Sequence, residues 1–143
     1  MLSRGHFGRL RPSFGLVSAV LLCGVIGCGG SEPFKLLPVS GKVAYEDGSL
    51  ISAPRIEVVF EPQAGPIDPK THPRPGRAEV NPTDGTFAEA TSHKYGDGVV
   101  VGKHKVKVIT YDKKETPTEL RVTPAEIEVG PGKTKFEFHV KKP

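Results

Sequence analysis

Gly102-Lys103-His104-Lys105-Val106-Lys107-Val108 alternates without a break: lysines stand at 103, 105 and 107, histidine and valines at 104, 106 and 108. Successive side chains on a strand point to opposite faces, so this period of two predicts one charged face and one apolar face. The pattern recurs on both sides. Upstream, Ile56, Val58 and Phe60 alternate with Glu57 and Glu61, and Val39, Val43 and Tyr45 with Ser40, Lys42 and Glu46. Downstream, Ile127 and Val129 alternate with Glu126 and Glu128, and Phe136, Phe138 and Val140 with Lys135, Glu137 and Lys141. Weaker strands are expected at 77–80 and 86–91. Asp47-Gly48, Asp84-Gly85, Gly96-Asp97-Gly98 and Gly130-Pro131-Gly132 supply turns between them. No segment combines helical periodicity with caps. The expectation is an all-β chain of about seven strands, each burying one side, as a β-sandwich requires.

One segment breaks the alternation. Residues 62–76 contain prolines at 62, 66, 69, 73 and 75. Proline cannot donate to a ladder, so an exposed loop is expected there, and a long loop on a rigid scaffold is a candidate contact surface.

The N-terminal residues follow a different logic. Arg4, Arg9 and Arg11 precede an uncharged, mostly apolar stretch ending in Val25-Ile26-Gly27-Cys28, after which come Gly29, Gly30 and Ser31. Positive, apolar, then small is the order of a secretory signal. The apolar run from 14 to 26 would reach only about 20 Å as a helix, against a bilayer core about 30 Å thick. A cleaved signal is therefore preferred to a membrane span. The last four residues resemble the lipobox of bacterial lipoproteins. That resemblance implies removal of residues 1–27 and a diacylglyceryl group on the sulfur of Cys28, the expected lipidation site. It also implies a secreted protein anchored by lipid, with the outer membrane or periplasm-facing envelope as its place. Cys23 fits poorly, because Leu22 stands where a small residue is needed. Residues 28–36 then read as a short tether and 37–143 as the domain.

Removing the signal changes the charge argument. Its three arginines belong to the 20 basic residues, which leaves 17 against 16 acidic ones and a net charge of +1. The basic balance thus gives no reason to expect nucleic acid as a partner. With Cys23 removed and Cys28 lipidated, no disulfide is expected, and stability rests on core burial.

A family resemblance follows from several stretches together. Pro38-Val39-Ser40-Gly41-Lys42-Val43, Asp47-Gly48 and Ile56-Glu57-Val58-Val59-Phe60 resemble the opening of carboxypeptidase regulatory-like domains. Thr83-Asp84-Gly85-Thr86-Phe87 resembles their central hairpin, and the 102–108 and 129–140 segments their later strands. The resemblance implies a seven-stranded, Greek-key, transthyretin-like sandwich. Enzymes related to that fold require residues not found here in the needed pattern. A zinc site of the His-x-x-Glu kind fails at His72, His93 and His104, which meet Pro75, Gly96 and Lys107 at that spacing. The tail His139-Val140-Lys141-Lys142-Pro143 differs from the Tyr-Arg-Gly-Ser-like end of the hydroxyisourate hydrolases. No close histidine pair joins Tyr45, Tyr95 and Tyr111 in an iron site of the intradiol dioxygenase kind.

The expectation is a non-catalytic envelope domain with an interaction or structural role, holding no metal and no cofactor beyond the lipid. Its partners would be the membrane and an envelope protein or polysaccharide. Lys103, Lys105, Lys107, Tyr95 and Tyr111 are the candidate contact residues. The alternative is a glycan-binding module using that lysine stripe and the tyrosines; a small hydrolase or metalloenzyme on the same fold stands third.

Overall fold

The computed structural model describes residues 33–143. The expected signal at 1–27, Cys28 and the first part of the 28–36 tether lie outside the described residues. Residues 33–143 pack as one compact unit. Its strands are β1 (Leu36–Leu37), β2 (Ser40–Tyr45), β3 (Arg55–Pro62), β4 (Gly76–Glu79), β5 (Thr86–Phe87), β6 (Val99–Val100), β7 (Gly102–Tyr111), β8 (Pro117–Leu120), β9 (Val122–Thr123), β10 (Glu126–Val129) and β11 (Lys135–Val140). The described residues contain no helix.

Every period-two segment forms a strand. The 102–108 stretch becomes the first part of β7, which pairs antiparallel with β3 along its length, Arg55 opposite Tyr111 through Pro62 opposite His104. β4 extends the sheet beyond β3, while β10 and β8 pair with the two halves of β7. A second sheet has the order β5-β2-β11-β9, with β2 and β11 parallel. A third, small sheet joins β1 to β6.

The two larger sheets face each other through the apolar sides of their strands. Val58, Phe60, Val106 and Val108 come from one, Val43, Phe87, Phe138 and Val140 from the other, all within one buried cluster. Phe60 makes the crossing visible: its ring centroid lies 6.0 Å from Phe87 and 6.1 Å from Phe138. Tilted pairs at this separation contribute about 0.5–1.5 kcal/mol beyond their buried area. The arrangement is that of a β-sandwich in its layering.

Three details depart from the sequence pattern. Only Thr86 and Phe87 of the 86–91 segment form a strand, because Glu89 takes φ 53, a conformation incompatible with a ladder. Ala44 and Val59 sit on the charged-face parity yet are buried. Val59 lies opposite Lys107 and Arg77, whose long aliphatic stems suit such a position. The strands β1, β6, β8 and β9 are additional to the seven expected.

His104 is the one polar residue among the buried described residues, with no exposed surface. Its Nε2 lies 2.6 Å from the Val100 carbonyl, which makes Nε2 the protonated nitrogen, since a carbonyl only accepts. Its Nδ1 has no hydrogen-bond partner. The ring meets Phe60 edge-on at 6.3 Å. Burial pushes the imidazole below its ordinary pKa, and the backbone groups of Val100 and Phe60 offset this only in part. His104 thereby fastens β7 to β6, and β6 holds β1.

Candidate binding site

A pocket forms where three chain segments meet: Pro33, Phe34 and Leu36 at the start of the fold, Lys70 to Arg74 in the proline-rich loop, and Ser92 and His93. Its volume is about 220 Å³ and Val100 contributes to its wall.

Each segment has a local reason to be there. In the loop, Asp68 accepts hydrogen bonds from the backbone N–H groups of Lys70 (2.7 Å) and Thr71 (2.9 Å) and from the Thr71 hydroxyl (2.8 Å). This folds the chain into a turn of the kind aspartate favours. Ile67 N–H donates to the Thr71 carbonyl and closes it. The Thr71 hydroxyl, then the Lys70 N–H, holds the Asp68 carboxyl below the usual carboxylate range. The loop therefore presents Lys70, His72 and Arg74 from an ordered base.

Asp97 organises the second segment, accepting the N–H groups of Ser92 (2.8 Å), His93 (3.0 Å) and Lys94 (2.7 Å). Burial pushes its carboxyl up, but the backbone donors outweigh this and the pKa stays below normal. Ser92 Oγ donates to the Gly98 carbonyl at 2.7 Å. Gly98 has φ 98, and a Cβ there would lie 2.2 Å from the Leu37 carbonyl oxygen, so glycine permits the approach of β1. The first segment is held by that approach, with Leu36 opposite Val100 and Leu37 opposite Val99. The Val101 N–H adds a bond to the Lys35 carbonyl at 2.9 Å.

The contact residues expected from sequence fall in three places. Lys103, Lys105 and Lys107 line the outer face of β7, where register sets Lys103 opposite Glu128 and Lys105 opposite both Glu126 and Glu61. Lys107 pairs with Glu61 at 2.9 Å and with Glu119 at 3.8 Å, and the Glu61 hydrogen bond raises its pKa. The stripe is thus interleaved with carboxylates and presents no net basic face. Tyr111 is half-buried: its hydroxyl donates to Glu57 at 2.9 Å and the Arg55 guanidinium lies 3.5 Å over its ring. Arg55 and Arg77 also reach Glu57, at 2.7 and 3.3 Å. Tyr95 stands apart, 82% exposed, beside an open groove of about 490 Å³ that includes Glu79, Asn81, Glu89 and Thr91. Its hydroxyl donates to Glu89 at 2.7 Å, a bond that raises the phenol pKa.

Among the described residues no three His, Cys, Asp or Glu side chains are grouped to hold a metal ion. Asp47 and Asp84, each before a glycine, accept bonds from Ser49 and Thr86 two residues on, as turn aspartates do. The basic pocket residues were not singled out by sequence reasoning. Their signal was Lys70, His72 and Arg74 at alternate positions; their convergence with Phe34 and Leu36 depends on the β1–β6 pairing. No family model, curated protein or solved structure matches this chain.

Proposed function

We propose that this chain is a lipid-anchored, non-catalytic domain of the bacterial envelope, held at the membrane by Cys28 and serving an interaction or structural role. Its sandwich would be the Greek-key, transthyretin-like kind of the carboxypeptidase regulatory-like domains, a reading supported by two facing sheets built on alternating strands. One observation carries the functional reading. The segment leading from Cys28 into the fold, Pro33 to Leu36, lines the same pocket as the proline-rich loop. An anchor at Cys28 would thus hold the proposed contact surface, the proline-rich loop that runs over residues 63–75 between β3 and β4, near the bilayer: the five residue steps from Cys28 to Pro33 span at most about 18 Å.

In-cell crosslinking through a photoreactive residue placed at His72 tests the contact role. A discrete envelope partner captured from His72, but not from Lys135 on the opposite sheet, supports it. Capture of only bulk lipoproteins from both positions sinks it.

A second reading, a glycan-binding module, has Tyr95 in its favour. An exposed ring beside Glu79, Asn81 and Glu89 suits stacking with hydrogen-bonding to sugar hydroxyls. Binding to envelope polysaccharide that is lost in Tyr95→Ala and kept when Lys103, Lys105 and Lys107 are replaced together would establish that reading at the groove.

A further inference from the structure

We propose that the pocket between Phe34 and Arg74 binds the phosphate of an anionic phospholipid headgroup, in the same membrane that carries the anchor. The proposal rests on the lipid-anchor reading for its choice of ligand source, and on the pocket itself for its chemistry.

Among the described residues, the ionisable side chains lining the pocket are Lys70, His72, Arg74 and His93, with no carboxylate. The two aspartates on the same loops, Asp68 and Asp97, are each engaged by donors of their own turn. Among the described residues, the Lys70 ammonium and the Arg74 guanidinium have neither an ion pair nor a hydrogen bond. The hydroxyls are spent elsewhere: Thr71 donates to Asp68 and Ser92 to Gly98. The His72 ring is engaged as well, its Nε2 lying 3.1 Å from the Pro69 carbonyl. What remains for a ligand is the Lys70 ammonium, the Arg74 guanidinium and the His93 ring, a set that selects an anion. Guanidinium and ammonium groups together match phosphate oxygens, the first as a fork and the second as a point charge.

Size and polarity narrow the class. About 220 Å³ is below the roughly 300–1,000 Å³ typical of sites for drug-sized ligands. It suits a phosphate with its adjoining glycerol carbons rather than an oligosaccharide. Phe34, Leu36 and Val100 offer an apolar wall for those carbons. Placement supplies the source: with Cys28 lipidated, the first pocket residue is within about 18 Å of the bilayer surface. The outer face of β7, where lysines and glutamates interleave, offers no comparable excess of charge.

The test uses the chain from residue 28 onward with Cys28→Ser, in which residues 33–143 contain their own core. It is sedimented with phosphatidylcholine vesicles, with or without about 30 mol % phosphatidylglycerol, at about 0.1 M salt. Binding is expected only to the anionic vesicles. Lys70→Ala/Arg74→Ala should weaken it about thirty-fold, from about five-fold per basic side chain near an anionic surface. Lys103→Ala/Lys105→Ala should leave it unchanged. Both pairs are exposed, and an unchanged melting curve verifies folding. Absence of vesicle binding overturns the proposal, as does equal loss from the two double variants, which would mark diffuse surface attraction. Inorganic phosphate titrated by calorimetry forms the other arm. Phosphate binding that needs Lys70 and Arg74, without vesicle binding, would assign the pocket to free phosphate and overturn the headgroup. The chain used carries no lipid, so these results stand apart from whether Cys28 is modified in the cell, which its peptide mass reports separately.

Discussion

Replacing His104 with leucine removes the one polar side chain buried in the described core and makes stability less dependent on pH. Two effects oppose each other. Near pH 7.5 the native imidazole is neutral and donates to Val100, so His104→Leu leaves that carbonyl unpaired at a cost of about 1–3 kcal/mol. On acidification the native protein loses ground. The folded pKa lies below the ordinary value of 6.5, so the unfolded chain takes up the proton first. Stability from the neutral histidine is fully present above about pH 6.5. It falls as pH drops toward the folded pKa, by at most about 1.4 kcal/mol per unit. Between pH 6.5 and 5 the limit is about 2 kcal/mol. Phe60 meets the ring edge-on, and among the described residues no Asp or Glu is buried to hold the imidazolium. Asp47, Asp68, Asp84, Asp97 and Asp112, whose pKa values are lowered from 3.8, lose their contributions at lower pH, outside this window. Surface histidines are common to both proteins and cancel in the difference. Urea unfolding followed by circular dichroism from about pH 7.5 to about pH 5 measures that difference. The expected result is a parental advantage that shrinks or reverses with acidification, by up to about 2 kcal/mol. An advantage that stays constant across the range would refute the reasoning.

Phe138→Ala removes a fully buried ring that contacts Phe60, Phe87 and Phe136. Urea unfolding should show a loss of about 3–5 kcal/mol; a loss below about 1 kcal/mol would mean the two sheets do not meet there. Gly98→Ala imposes a side chain at φ 98 and against the Leu37 carbonyl. It should cost at least about 1–3 kcal/mol and raise amide exchange at Val101, whose N–H bonds the Lys35 carbonyl. Unchanged exchange there would separate Gly98 from the seating of β1.

The strongest strands were legible because burial on one face writes a period of two. Ile56, Val58 and Phe60, or Val106 and Val108, show their face directly, and His104 stands on the buried parity as the alternation places it. The shortest elements carry too little pattern. β1 and β6 have two residues each, and β8, Pro-Thr-Glu-Leu, is exposed over its first three residues. The pocket was hidden for the same reason. Lys70 and Arg74 read as loop charges until Leu36 pairs with Val100, a contact between distant residues that no local window records. The lysine stripe was legible as a face, but its glutamate partners come from β3, β8 and β10, and only register reveals them.

Attachment of this sandwich to a membrane through Cys28 is tested most directly by the mass of the N-terminal peptide. The protein is purified from membranes of cells that make the full chain. The expected first residue is Cys28 with a diacylglyceryl group on its sulfur. A mature chain starting elsewhere, or a Cys28 with a free thiol, would contradict it.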